Sequence, residues 1–172
     1  MKKIFRFLLA IVAMSASVVI ADAQEAIFLV RHTEQAGPGS TNPPLTEAGE
    51  RRAKRLADVL KDAGIDVIFV SKTKRTAQTA EPVEKALNVK VKVHPRKDSD
   101  GLIARLHTEH AHDRVLIIGH SRTVPKLLKA FDYPVKVKIE RFEYDSLFVI
   151  IPKSGGSPLV LHLRYGAQKG GS

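Results

Sequence analysis

Two histidines each directly follow a short apolar run in this 172-residue chain. The first run ends at Arg31 and is followed by His32, and the second ends at Gly119 and is followed by His120. Apolar runs of this length predict buried strands, and parallel α/β sheets bind ligands beyond the carboxyl ends of their strands. We therefore expect both imidazoles to face one crevice. The arginine beside one of them favours chemistry on an anion.

A metal-free phosphoryl-transfer site needs a nucleophile, cations for the phosphoryl oxygens and a proton donor. A neutral histidine is a competent nucleophile, and a guanidinium binds two phosphate oxygens at once. Arg75 lies near the start of a predicted helix just after the second strand, and Ser121 lies at the start of another. Helix N-termini favour anions through their free N–H groups. The nucleophile and the cations therefore have clear candidates.

Four stretches of the chain resemble those of the histidine phosphatase superfamily, the phosphoglycerate-mutase-like proteins. They are LVRHTE at 29–34, PLTEAG at 44–49, SKTKRTAQT at 71–79 and VLIIGHSRTV at 115–124. Their order and spacing match the family, and together they span most of the chain. One departure is Thr33, which stands where the family signature usually has glycine. The chain thus looks like a small, exported bacterial member of this family.

The resemblance implies a role for each matching residue. His32 would be the nucleophile that forms a phosphohistidine intermediate, and His120 would complete the pocket as a charged donor. The residues that would contact the substrate are Arg31, Arg75, Thr33 and Ser121. The resemblance also implies an α/β fold, a three-layer sandwich with a largely parallel central sheet flanked by helices, and no metal or organic cofactor.

The sequence does not identify the residue that acts as general acid. Some family members carry an aspartate directly after the second histidine, where this chain has Ser121. Glu34 is the carboxylate closest in sequence to the nucleophile, although it could equally orient an arginine. Asp98 and Asp100 follow the third predicted strand, where helix capping is the favoured alternative. An absent acid would favour good leaving groups, such as those of phosphohistidine, acyl phosphates or pyrophosphates.

Strand-like and helix-like segments alternate along the chain, as in a three-layer α/β domain. The predicted strands are 26–31, 66–71, 89–94, 114–119, 137–151 and 158–164. The predicted helices run from a Thr46 cap to about 63, over 73–87, over 100–111 after a cap at Asp98 or Ser99, and over 122–131. Pro82 predicts a break or kink within the second helix.

The N-terminal segment has the pattern of a secretory signal. Basic residues, an apolar stretch and an Ala-Asp-Ala cleavage site occupy residues 1–23. The remaining chain divides into one domain, 24–166, and a short flexible tail, 167–172. We expect an exported protein, periplasmic or secreted, without stable membrane insertion after cleavage. The chain has no cysteine, which excludes disulfides and thiol chemistry.

The net charge of +10 permits several kinds of partner. Because Lys and Arg are spread along the chain, a nucleic-acid role is disfavoured, and we expect a small phosphorylated substrate. Of three further alternatives, the first is a phosphate-binding module with little turnover. The second, a phosphoglycerate-type mutase, is disfavoured by the short chain and by the predicted export. The third, a protein that binds anionic envelope polymers, is the least favoured.

Three histidines at 107, 110 and 112 form a local cluster, but their spacing gives no clear geometry for binding a metal ion. The sequence does not indicate an oligomeric state.

Overall fold

A six-stranded sheet forms the middle layer of the protein. The computed structural model describes residues 25–37, 39–153 and 156–166. The strands are β1 (Ala26–Arg31), β2 (Val67–Val70), β3 (Lys90–Val93), β4 (Arg114–Gly119), β5 (Ser146–Ile151) and β6 (Leu159–Arg164). Their order in the sheet is β3-β2-β4-β1-β5-β6. The first four strands are parallel to one another, and β5 and β6 are antiparallel to their neighbours.

Helices cover both faces of this sheet. They are α1 (Glu47–Leu60), α2 (Lys74–Leu87), α3 (Ser99–Glu109) and α4 (Thr123–Ala130). Buried side chains of α1 and α2 form one core with one face of the sheet, and those of α3 and α4 form a second core with the other face. The predicted α/β sandwich with a largely parallel sheet is therefore confirmed.

The two apolar runs form the central strands β1 and β4, which lie side by side. Their side chains are buried on both faces because helices cover both, and this explains why the runs are continuously apolar rather than alternating. The backbone pairing continues one residue past β1, since the His32 N–H donates to the Gly119 carbonyl at 3.0 Å. This bond places the two strand ends in register.

Two helix starts follow the expected capping chemistry. The Thr46 hydroxyl accepts the Gly49 N–H at 3.1 Å, and the Asp98 carboxylate accepts the Gly101 N–H at 2.9 Å. The predicted break at Pro82 does not occur, because α2 runs unbroken across it and packs against α1. Tertiary packing here outweighs the loss of one backbone hydrogen bond.

The predicted strand over 137–151 is wrong in its first half. The strand begins only at Ser146, and the segment before it consists of turns and irregular backbone. Lys and apolar residues alternate over 135–139 and imitate a strand pattern. The backbone carbonyls of residues 140, 141 and 143 instead accept hydrogen bonds from a side chain, described below.

The predicted signal segment, 1–23, and the predicted tail, 167–172, lie outside the described residues. Among the helices of the described part, none has the length and apolar character needed to cross a membrane.

Candidate active site

Three adjacent strand ends converge on one crevice. β4 lies between β2 and β1 in the sheet, so His120, which follows β4, stands between Ser71, which follows β2, and His32, which follows β1. The two imidazole rings are 5.3 Å apart between centroids and meet edge to face. The structure thus brings the two histidines together, as the sequence predicts.

The hydrogen bonds of His32 fix its tautomer. Its Nδ1 lies 2.8 Å from the backbone carbonyl oxygen of Thr33. Because a carbonyl only accepts, Nδ1 carries the proton and Nε2 keeps its lone pair. Burial above all, together with the nearby charges of Arg31 and Arg75, lowers the pKa of His32 to about 3 despite the opposing effect of the Thr33 bond. The imidazole is therefore neutral at physiological pH, with a nucleophilic nitrogen available.

Thr33, expected to contact the substrate, is fully buried and faces α2 instead. Its N–H donates to Thr79 Oγ1 at 3.1 Å, and the two hydroxyl oxygens are 3.3 Å apart. The Thr79 hydroxyl in turn donates to the Arg75 carbonyl at 2.7 Å. The residue after the nucleophile thus ties the end of β1 to the turn of α2 that carries Arg75. A glycine at this position would lack that hydroxyl.

Arg31 is held by the irregular segment before β5. One of its terminal nitrogens, Nη1, donates to the carbonyls of Glu140, Arg141 and Glu143 at 2.9, 3.0 and 2.9 Å. The ring of Tyr144 lies 4.0 Å from the guanidinium carbon, within the range of a cation–π contact. These contacts fix the plane of a buried guanidinium at the crevice.

Two buried arginine donors lack a partner. They are the Nε atoms of Arg31 and Arg75. An unpaired buried donor costs free energy, and a phosphate oxygen is an acceptor that guanidinium groups bind well. The site therefore has the donor pattern of an anion-binding pocket.

His120 is held between Ser71 and Arg75. Its Nε2 lies 2.8 Å from Ser71 Oγ, and its Nδ1 lies 3.5 Å from Arg75 Nη2. Because guanidinium only donates, Nδ1 is the acceptor and Nε2–H points to the serine. Burial, and then His32 and Arg75, lower the pKa of His120 to about 3. The imidazole of His120 is therefore neutral here, where it shares a buried pocket with other basic groups, and its role as a charged donor to a bound phosphoryl group stays a prediction.

The structure gives other contacts to the three carboxylates considered as proton donors. Glu34 is paired with Arg52, whose Nε lies 2.9 and 3.1 Å from its two carboxylate oxygens. Asp98 caps α3, as the favoured alternative predicted, and also lies 3.3 Å from His94 Nε2. Asp100 is exposed in the first turn of α3. None of the three is placed as an evident donor.

Ser121, also expected to contact the substrate, lies half-buried in the turn between β4 and α4. The histidine cluster is dispersed in the structure: His110 bonds to Asp113 at 2.6 Å and to Lys92 at 2.9 Å, whereas His107 is exposed. The described part of the chain contains no group of three His, Asp or Glu side chains placed to hold a metal ion.

Sequence reasoning missed two residues of the site. Ser71 follows the apolar run of β2 as directly as His32 follows that of β1, so the strand-end rule could have found it. Tyr144 carries no comparable signal, because it lies in irregular backbone after a wrongly predicted strand. Its ring is nonetheless 6.0 Å from that of His32.

Comparison with known families agrees with this geometry. The model of the histidine phosphatase superfamily (branch 1) matches residues 27–98, which include His32 and Arg75. Over this region, which is less than half of the chain, the protein is similar to members of that superfamily. The matched region ends before His120, which the structure nevertheless places beside His32 as the superfamily resemblance implies.

The curated relatives match only part of this chain. A "Probable phosphoglycerate mutase GpmB" of Yersinia enterocolitica is 38% identical over 76 residues, which cover 41% of this chain and 35% of that protein. The "Uncharacterized phosphatase PhoE" of Bacillus subtilis is 30% identical over 102 residues, covering 52% and 53% of the two chains. The matches thus span about a third to a half of these relatives.

A solved structure supports the fold over a longer region. The protein histidine phosphatase SixA, complexed with tungstate, superposes with a TM-score of 0.68 at 23% sequence identity. The alignment covers 81% of this chain and 96% of SixA. At this identity the likeness establishes a shared fold and nothing further.

Proposed function

We propose that this protein is a phosphatase that hydrolyses a small phosphorylated substrate through a phosphohistidine on His32. The observation that carries the proposal is the Nδ1 bond from His32 to the Thr33 carbonyl, which leaves Nε2 as a neutral nucleophile beside two arginines. Phosphatase relatives, and the superfamily itself, support the same reaction class.

The reaction proceeds in two balanced steps. The Nε2 lone pair of His32 forms a bond to phosphorus while the bond from phosphorus to the leaving group breaks. The Thr33 carbonyl stabilises the charge that develops on the ring through Nδ1–H, and Arg31 and Arg75 neutralise the phosphoryl oxygens. Water then forms a bond to phosphorus, the N–P bond breaks, and phosphate leaves with restored neutral His32. No step requires a metal ion.

His120 acts as a hydrogen-bonding partner of the phosphoryl group. Without a bound anion the ring is neutral, because burial and neighbouring basic groups lower its pKa to about 3. A bound phosphate dianion reverses the sign of the local field and favours the protonated ring. We expect His120 to gain its proton only together with the substrate.

The unassigned proton donor narrows the substrate class. The Glu34 carboxylate forms a salt bridge with Arg52, and the Asp98 carboxylate caps the start of α3. Substrates whose leaving groups need little protonation therefore suit the site best, and these include phosphohistidine, acyl phosphates and pyrophosphates. Simple alkyl phosphates should react more slowly.

The predicted signal segment adds a location to the proposal. An export signal over residues 1–23 would place the phosphatase in the periplasm or outside the cell. N-terminal sequencing of the protein recovered from an expressing bacterium would test this, and an intact residue 1 in a cytoplasmic fraction would contradict it.

The deciding experiment follows phosphate on the protein. Wild-type domain should hydrolyse p-nitrophenyl phosphate in the presence of EDTA, and His32→Ala should abolish hydrolysis. His107→Ala removes an exposed histidine of α3 and is the matched control. Rapid quenching with a labelled substrate should trap label on His32. Full activity of His32→Ala would refute the mechanism.

Two alternatives have distinct outcomes in the same assays. A binding module would hold a labelled ligand tightly without forming phosphoenzyme. A mutase, which the GpmB relatives make worth testing, would pass label from the phosphoenzyme to a second phosphoglycerate position rather than to water. Release of inorganic phosphate as the main product would exclude both.

A further inference from the structure

A wide groove lies between α1 and the segment that carries Tyr144. The groove is open to solvent on one side and has a volume of about 590 Å³. Three arginines of α1 line it, namely Arg51, Arg52 and Arg55, whereas Glu34 is the only carboxylate among the described residues of the lining. The lining is therefore net positive.

Tyr144 connects the groove to the candidate phosphoryl site. Its ring lies 4.0 Å from the Arg31 guanidinium carbon and 6.0 Å from the His32 ring, and the same residue lines the groove. Glu34, two residues after the nucleophile, also lines it. The groove thus adjoins the candidate phosphoryl site, with Tyr144 in contact with both.

The groove arginines differ in their existing contacts. Arg52 is held by Glu34 and by the Tyr165 carbonyl, both at 2.9 Å. Arg51 and Arg55 are well exposed, and each lies 3.8 Å from an exposed carboxylate outside the groove lining. Exposed pairs of this kind are weak, so a ligand anion can compete for both arginines.

We propose that this groove binds the leaving-group part of the substrate and selects leaving groups that carry further negative charge. The proposal rests on the proposed phosphatase function and names its substrate class. Carboxylates or a second phosphate would supply the charge, either on an acidic peptide that surrounds a phosphorylated side chain or on a small polyanion. The groove volume of about 590 Å³ lies within the range of roughly 300–1,000 Å³ that is typical of small-ligand pockets, so it has room for a charged leaving group.

The test compares matched substrates on matched variants. One pair is a phosphohistidine peptide flanked by two aspartates and the same peptide flanked by two asparagines. The second pair is a sugar bisphosphate and its monophosphate. Each is assayed with wild-type protein, with Arg51→Glu/Arg55→Glu, and with Lys54→Glu/Lys61→Glu. The control pair makes the same charge change at exposed α1 and α1-end positions outside the groove lining.

We expect wild-type protein to prefer the more acidic member of at least one pair by about tenfold in kcat/KM, mainly through KM. The preference should weaken as salt is added. The groove variant should lose the preference, and the control variant should keep it. Preference within the peptide pair identifies an acidic peptide, and preference within the sugar pair identifies a small polyanion.

Two results would overturn the inference. One is equal kcat/KM within both substrate pairs for the wild-type protein, and the other is the same loss of preference in both double variants. Either result leaves the phosphatase proposal intact if His32 is still labelled. Loss of that labelling refutes the proposed function itself, so the two failures are distinguishable.

Discussion

Replacing Glu34 with glutamine separates the two roles considered for this carboxylate. In the structure Glu34 pairs with Arg52, and their side chains are only 13% and 11% exposed. If Glu34 is structural, the substitution lowers stability and leaves the leaving-group dependence of the reaction unchanged. If it is the general acid, the substitution selectively slows the hydrolysis of substrates with poor leaving groups. The observed pairing leads us to expect the structural result.

The size of the effect follows from the burial of the pair. Removing one partner of a fully buried pair costs about 3–5 kcal/mol, and an exposed pair contributes roughly 0–1 kcal/mol. This pair retains some exposure, Arg52 keeps its bond to the Tyr165 carbonyl, and glutamine still offers one acceptor oxygen. We therefore expect a loss of about 1–3 kcal/mol in the free energy of unfolding. At roughly 2–4 °C per kcal/mol for a domain of this size, the Tm falls by several degrees.

Urea unfolding measures this loss, and a double-mutant cycle with Arg52→Gln isolates the pair. Glu47→Gln is the matched control, because Glu47 pairs with Arg51 at 3.8 Å with both side chains largely exposed. It should change stability by less than about 0.5 kcal/mol. A structural role for Glu34 is refuted if the Glu34→Gln variant keeps wild-type stability but its kcat falls about 100-fold or more, only for substrates with poor leaving groups.

Three further predictions concern pH, packing and positioning. The pKa values of His32 and His120 are about 3 in the fold against 6.5 as the ordinary value, so the unfolded chain binds more protons between these limits. The free energy of unfolding should therefore fall as pH drops from about 7 towards 3, measured by urea unfolding at several pH values. Gly49→Ala should cost about 1–2 kcal/mol in urea unfolding, because the new Cβ overlaps the Glu34 carbonyl oxygen and this outweighs the gain in helix propensity. Ser71→Ala should lower kcat about tenfold by freeing the His120 ring, while Ser71→Thr restores part of it.

Each of these predictions has a control. His32→Gln should weaken the dependence of the free energy of unfolding on pH. An unchanged dependence would show that His32 does not cause it. Gly37→Ala, where a Cβ meets open space, should leave stability nearly unchanged. Thr108→Ala removes an exposed hydroxyl of α3 and should leave kcat unchanged. Equal kcat values for the Ser71→Ala variant and the wild-type protein would contradict the proposed role of Ser71 in positioning His120.

The strands that carry the candidate site could be predicted from the sequence. Continuous apolar runs identify β1 and β4 because such strands are buried on both faces, and the polar residues that follow them must then lie at one sheet edge. This reasoning places His32 and His120 together without knowledge of the other contacts. The distance between their rings required the structure, because it depends on β1 and β4 being neighbours.

The contacts of the site could not be predicted, because they join distant parts of the chain. The carbonyls that hold Arg31 lie 109–112 residues further along, in a segment whose Lys–apolar alternation imitates a strand. The family resemblance implies that Thr33 contacts the substrate, whereas in the structure it bonds to Thr79, which lies 46 residues away. Side chains that bond to distant helices and loops leave no local pattern in the sequence.

The three carbonyl bonds of Arg31 have a consequence during synthesis of the chain. His32 and Arg31 leave the ribosome among the first residues of the domain, but the segment that orients Arg31 is made more than a hundred residues later. A partly synthesised chain therefore carries His32 without a fixed Arg31 guanidinium beside it. If the proposed function is correct, the site becomes competent only when the last third of the chain has folded, so truncated chains should be inactive towards phosphorylated molecules.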